Sequence, residues 1–254
     1  MWGTVVYTEY SSGCLRRIYI DANGIREPFD PKHSERGEIN EVFFEKRFER
    51  DKVTFEREVP FRESIYSTSL VLSGRINYRI VTPDLTYPLE LKSTESTTQR
   101  RTRIQNGEWG IGQVAQLSEY MLVDGAEKGK LVVTYYERDD EGKLFHPKPH
   151  VNKRGILHLT EREFKVEFGA GGYIYVDGAR SPYTAYDVLN HIYWAARVIE
   201  DDIIWERPAN YEAPFGSPCS YCPFRSTCTK WDNGLLLTAG EFLTSAKSDL
   251  NIKE

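Results

Sequence analysis

Apolar residues recur along this chain with two periods, and each period marks a kind of element. Between Glu35 and Arg50, Ile39, Val42 and Phe43 fall at i, i+3 and i+4, and Phe44 and Phe48 at i and i+4. That spacing predicts a helix, with Ser34 near its start. Lys52 to Val59 alternates instead, with Val53, Phe55 and Val59 against Thr54, Glu56 and Glu58, and predicts a strand. Thr68–Val81 reads as a long strand, Thr82–Thr86 as a turn around Pro83, and Tyr87–Ser93 as a second strand, so the two are expected to form a hairpin. Helical periodicity returns over Trp109–Val123 and Thr184–Asp201. Lys130–Glu137 predicts another strand, and Glu163–Val176 a hairpin around Gly169–Gly172. The stretch 142–160, holding His146, His150 and His158, reads as loop, and a short helix with a polar tail closes the chain.

Composition narrows the class. The chain has 254 residues, 40% of them apolar, enough for one large domain or a domain with an appended module. No apolar run reaches the ~18 residues that span a bilayer, and the start at Met1-Trp2-Gly3-Thr4 carries no secretory pattern. A location in the cytoplasm or at the nucleoid is therefore expected, with no membrane partner and no secretion. The net charge of −5 excludes a global basic field for nucleic acid, so any such contact must come from local patches.

The four cysteines are the most informative chemistry. Cys14 stands alone near the N-terminus, and Cys219-x2-Cys222-x5-Cys228 lies near the C-terminus. A fold that joins them makes a four-thiolate site. An iron–sulfur cluster favours such a set. Zinc accepts it, though zinc sites usually come as two close pairs. Free thiols and disulfides are the remaining readings, the second requiring an oxidising compartment.

A second constellation lies on the predicted hairpin. Glu90 and Lys92 are two apart on a strand, so both side chains face one side. In a cleft, a carboxylate can hold Mg2+ or Mn2+ while the ammonium orients water or stabilises phosphorane charge. On an open sheet face the same pair is an ordinary ion pair. The hairpin turn at 82–86 brings position 77 near 91–92 across the ladder, and residue 77 is Asn, a neutral and weaker ligand than a carboxylate.

These residues arrive in an order that resembles the RecB-type branch of the PD-(D/E)XK nucleases. The resemblance is to those members whose core is closed by an iron–sulfur cluster on one N-terminal and three C-terminal cysteines. They include the CRISPR-associated RecB-like exonucleases, the AddB-type subunits and the Okazaki-processing nuclease–helicase. Cys14-Leu15-Arg16-Arg17 matches the first cysteine followed by Arg. Gly74-Arg75-Ile76-Asn77 matches Gly-x-x-Asp with Asn for Asp, Glu90-Leu91-Lys92 matches ExK, and Gln116-x3-Tyr120 matches QxxxY. Glu41 falls about where the family's helix carries a metal-ligand His, with His33 the runner-up.

The resemblance implies an α/β fold with a PD-(D/E)XK (restriction-endonuclease-like) core, a mixed sheet flanked by helices, over residues 1–207. A cysteine module follows over 208–254. It implies a Mg2+- or Mn2+-dependent deoxyribonuclease acting on DNA ends or single strands, in recombination, repair, replication or CRISPR adaptation. Glu41, Asn77 and Glu90 are then the metal ligands, Lys92 activates water, Gln116 and Tyr120 position the strand, and Cys14, Cys219, Cys222 and Cys228 hold a 4Fe–4S cluster. Arg100, Arg101, Arg103 and Gln113 are the candidate DNA contacts. Asn77 leaves three readings open: an inactivating substitution, a degenerate DNA-binding relative, or a substitute carboxylate, for which Asp84 is the near candidate. The competing function is a non-catalytic single-stranded-DNA-binding or adaptor subunit of a helicase, recombinase or integrase.

Overall fold

The computed structural model describes residues 5–7, 14–26, 31–95, 98–108, 110–151, 157–205 and 222–250. In chain order they form β1 (Val5–Tyr7), α1 (Leu15–Ala22), α2 (Pro31–Arg50), β2 (Thr54–Ser64), β3 (Val71–Val81), β4 (Thr86–Glu95), α3 (Thr98–Gln105), α4 (Ile111–Asp124) and β5 (Lys128–Arg138). Then come β6 (Leu144–Phe145), β7 (His150–Val151), β8 (Leu157–His158), β9 (Glu161–Phe168), β10 (Tyr173–Val176), β11 (Ala179–Thr184), α5 (Ala185–Glu200), α6 (Arg225–Asp232) and α7 (Ala239–Asp249). Among the described residues no helix is long and apolar enough to cross a membrane.

The chain divides into two compact units that are not successive in sequence. One comprises Met1–Phe29, Arg62–Gly74 and Tyr186–Glu254, the other Asp30–Phe61 and Arg75–Ala185. The division expected at 207/208 falls inside the first unit rather than at its edge.

The second unit is built on a mixed sheet flanked by helices. The order runs β3-β4-β5-β9-β10-β11, with β2 on β3 and β6 on β5. β3 and β4 form the expected antiparallel hairpin, paired from Tyr78–Leu89 to Val81–Thr86. β4 and β5 run parallel, from Leu89–Lys130 to Glu95–Tyr136. A tight turn cannot join parallel neighbours, and α3 and α4 supply the crossover. Alternation along β4 gives the sheet two distinct faces. Leu89 and Leu91 pack with Tyr78, Ile80 and Val132 against Phe44 and Phe48 of α2. Burying each of those side chains contributes about 1.5–3 kcal/mol relative to exposure. Glu90 and Lys92 face the other way, toward α4, as the bond from Lys92 to Gln116 shows. On that face Gly129 of β5 admits α4: a Cβ there would lie 3.0 Å from Leu117 Cδ1 and 3.0 Å from Met121 Sδ. Glycine at 129 thus sets the approach of the helix that carries Gln116 and Tyr120.

In the first unit β1 pairs in parallel with the start of β3, Val5 opposite Val71. Ile18, Tyr19 and Ile20 of α1 and Val188, Ile192 and Ala195 of α5 are buried. Helix α7 opens on a capping box, in which Thr238 Oγ1 accepts from the Glu241 N–H (3.2 Å) and Glu241 Oε2 accepts from the Thr238 N–H (3.1 Å). Thr227 of α6 donates from its hydroxyl to Asp249 of α7 at 2.7 Å, joining the two helices.

Candidate functional site

Glu90 lies on the α4-facing side of the sheet with 0% of its side chain exposed, and neither carboxylate oxygen accepts a hydrogen bond. Lys92 Nζ is 2.5 Å from Oε1, a contact of ion-pair distance without hydrogen-bond geometry. Burial pushes the Glu90 carboxyl above the ordinary carboxylate range; the Lys92 charge opposes this in part, and the negative charge of Glu58 adds to it. A buried carboxylate without donors is costly unless a charge meets it.

Lys92 is held from the helix side. Its Nζ donates to Gln116 Oε1 at 2.9 Å, and Gln116 Nε2 donates to the Tyr120 hydroxyl at 2.8 Å. Gln116 and Tyr120 are one helical turn apart on α4, the spacing that lets them meet. The Tyr120 ring sits edge-on to Phe61, centroids 6.1 Å apart. Four of the predicted residues are thus one connected chain: Glu90, Lys92, Gln116 and Tyr120. Asn77 is half-buried on β3, one residue beyond the Tyr78–Leu89 pair, where Glu90 follows on the facing strand.

Other predicted residues stand elsewhere. Glu41 belongs to α2, which packs on the opposite sheet face, and it accepts from Arg57 Nη2 at 2.6 Å. The same guanidinium reaches Glu45 at 2.9 Å. Burial raises the Glu41 carboxyl, an effect that Arg57 partly offsets and that Glu58 and Glu45 reinforce. Asp84 is exposed in the hairpin turn, at the far end of the β3–β4 ladder from Glu90. Among the described residues no group of three or more His, Cys, Asp or Glu side chains is arranged to hold a metal ion. The side chain of His33 lies outside the described residues.

The expected basic tract lies on a helix, α3, and corrects in one respect. Arg101 is not a surface contact: it is buried, its Nη2 is 2.5 Å from Glu137, and its guanidinium lies 5.8 Å from the Tyr135 ring centroid. Arg103 is exposed and paired with Glu108 at 2.7 Å. Gln113 is half-buried in the first turn of α4. The side chain of Arg100 lies outside the described residues.

Glu58 is the residue that sequence reasoning missed. It sits on β2 at φ +51°, left-handed backbone that side chains rarely adopt. It pairs with Arg75 Nη1 at 3.1 Å, and its charge is felt by both Glu41 and Glu90. In sequence it reads only as the polar face of an alternating strand.

In the first unit Cys14 immediately precedes α1, and Cys222 and Cys228 bracket the start of α6. The Cys228 thiol is pushed up to about 11, chiefly by burial, with the neighbouring Cys14 and Cys222 adding to the rise and Arg16 opposing it. Cys14 and Cys222 therefore both lie within electrostatic reach of Cys228. Cys219 lies outside the described residues. Arg16, which the Cys14-Leu15-Arg16-Arg17 match contains without giving it a role, is buried beside Cys228, with Nη2 2.7 Å from Asp232 and Nε donating to the Trp205 carbonyl at 2.5 Å.

No protein-family model matches the chain, and no curated protein sequence does. Among solved structures the chain is similar to one titled "Crystal structure of SSO0001", at 16% identity over 90% of this chain and 87% of that one, with a TM-score of 0.48. A likeness of that size carries no argument about fold or activity.

Proposed function

We propose that the second unit is a nuclease core of the PD-(D/E)XK type and that the protein hydrolyses phosphodiesters in DNA with a divalent cation. The observation that carries the reading is Glu90. It is a fully buried carboxylate with neither oxygen hydrogen-bonded, beside a lysine that a Gln–Tyr pair holds in place. Those unsatisfied oxygens fit a hard cation, which takes carboxylate oxygens as ligands. Mg2+ or Mn2+ bound there would supply positive charge against the phosphate and a water of lowered pKa. The chain's own residues do the rest. Lys92 presents its ammonium where charge develops on the phosphoryl oxygens. Gln116 and Tyr120 fix the Lys92 rotamer, and Arg103, in an exposed pair with Glu108, is a basic residue that a phosphate can draw away.

In the first unit Cys14, Cys219, Cys222 and Cys228 are the proposed holders of a 4Fe–4S cluster. The gathering of three of them beside the buried Arg16 supports this, because four thiolates need compensating positive charge. The cluster's role would be to close the two chain ends.

Asn77 favours one competing reading, a subunit that binds single-stranded DNA without cutting it, since an amide at that position is a poor ligand. One experiment separates the two: end-labelled single- and double-stranded DNA with Mg2+ or Mn2+, using the protein as it stands, Asn77→Asp and Lys92→Ala. Cleavage by the first or second protein, abolished by Lys92→Ala, establishes the nuclease. Binding without cleavage by all three establishes the adaptor.

A further inference from the structure

We propose that Glu58 supplies the second carboxylate of the cation site at Glu90, taking the place that Asn77 leaves neutral; this rests on the metal-dependent reading above. Three placements converge. Glu58 lies on β2, which pairs directly with β3. It contacts Arg75, and Arg75 is two residues from Asn77 on β3, hence on the same face. Asn77 in turn follows the Tyr78–Leu89 pair, the position facing Glu90. Glu58 therefore stands at the end of the ladder at which Glu90 sits.

What points to a ligand, rather than to a patch of acids, is Glu90. Its side chain is wholly buried, and while the Lys92 ammonium stands beside Oε1, Oε2 has no hydrogen-bond partner and is open to a cation. Glu58 is also free to serve. Its side chain is 41% exposed and that of Arg75 67%, and an ion pair that open exchanges readily for a metal. Glu41, by contrast, is tied to Arg57. Two carboxylates suffice, because Mg2+ completes its shell with waters and substrate phosphate oxygens. Arg75, released from Glu58, becomes available to that phosphate.

The test is Mn2+ binding to the full-length protein, without DNA, by calorimetry and by the loss of the free-ion electron paramagnetic resonance signal. Glu58→Gln is expected to weaken Mn2+ binding by about tenfold or more, the effect of removing one of two charged ligands. Asn77→Asp added to Glu58→Gln is expected to restore the affinity, because it returns a carboxylate to the same site. Unchanged binding in Glu58→Gln, with binding lost in Glu90→Gln, overturns Glu58 as a ligand and leaves the metal-dependent reading standing. Unchanged binding in both variants overturns the two together. Far-ultraviolet circular dichroism confirms that each variant is folded.

Discussion

Gln116 holds Lys92 from the neighbouring helix, accepting from Nζ at 2.9 Å, and thereby aims the ammonium at the buried carboxylate of Glu90. The same amide donates to Tyr120, so its two ends are both committed. Gln116→Leu keeps the helix former and removes both bonds. Its expected effect is a loss of about 10- to 100-fold in single-turnover cleavage, the size seen when a group that orients a metal-site residue is removed. Tyr120→Phe removes the Gln116–Tyr120 link while leaving the Lys92–Gln116 bond, and is expected to cost about 1 kcal/mol of stability with a smaller loss of rate. Both are measured on end-labelled DNA in whichever background cuts, Asn77 or Asn77→Asp, with urea unfolding alongside. Equal rates in all variants would show that the Lys92 position does not matter to the reaction.

The raised pKa of Glu90 gives a second prediction, with a definite sign. The folded state holds this proton more tightly than the unfolded chain. The stabilisation that results is fully present below about 4.3, the ordinary Glu value, and is lost as pH rises through the raised folded value. Metal-free Glu90→Gln is therefore expected to be more stable than the parent near neutral pH, by on the order of 1 kcal/mol as for other relieved functional sites. The two proteins should converge at acid pH. Thermal melts in chelator from pH 4 to pH 8 check this; a constant difference across that range would mean that Glu90 does not titrate as its burial requires.

The fold was legible where apolar spacing is strong, and the missing parts share a physical cause. Helix α2 shows itself through Phe44 and Phe48, and the β3–β4 hairpin through alternation on both sides of Pro83. Spacing gives Glu90 and Lys92 one face of a strand and Gln116 and Tyr120 one face of a helix, but what singled out these four was the resemblance of ExK and QxxxY, in that order, to a nuclease pattern. Helix α3 offers no such stripe: its sequence is Thr-Gln-Arg-Arg-Thr-Arg-Ile-Gln, and a residue it buries is an arginine. Periodicity cannot announce a face made of Arg101. Nor can it announce Glu58, whose backbone leaves the strand region at one residue and whose ion-pair partner, Arg75, comes from β3. The two units escaped because a linear reading looks for a boundary, whereas here an internal segment, 62–74, joins both termini.

The reassignment of α3 separates two arginines by experiment. Arg101→Ala strands Glu137 and empties a buried space. It is expected to cost about 2 kcal/mol, toward the low end for a broken buried pair because Glu137 is 35% exposed. DNA affinity of the folded protein should not change. Arg103→Ala, on an exposed pair, is expected to leave stability nearly unaltered and to reduce the salt dependence of DNA binding by about one phosphate contact. Binding titrations at several salt concentrations and unfolding curves distinguish these outcomes. The reverse pattern would return Arg101 to the DNA surface.

Arg16 makes the sharpest demand on the cysteine unit. Its guanidinium is 4% exposed, and it ties the start of α1 to the Trp205 carbonyl, to Asp232 at the end of α6 and to the Cys228 sulfur. Arg16→Met preserves most of the stem and deletes the charge. Removing one partner of a buried pair costs about 3 kcal/mol, and about 2 is expected here because Asp232 is 31% exposed. The charge also stands against the thiols, so its loss should lower the reduction potential of an iron–sulfur cluster bound there, because the added electron is no longer met by a nearby cation. Arg16→Lys should recover the potential in part but not the stability, since an ammonium cannot reach Trp205 and Asp232 together. Anaerobic purification, visible absorbance and spectroelectrochemistry read the first effect, and denaturant unfolding the second. A colourless protein in every variant, binding zinc instead, would assign the four thiolates to a structural zinc and leave Arg16 with its packing role alone.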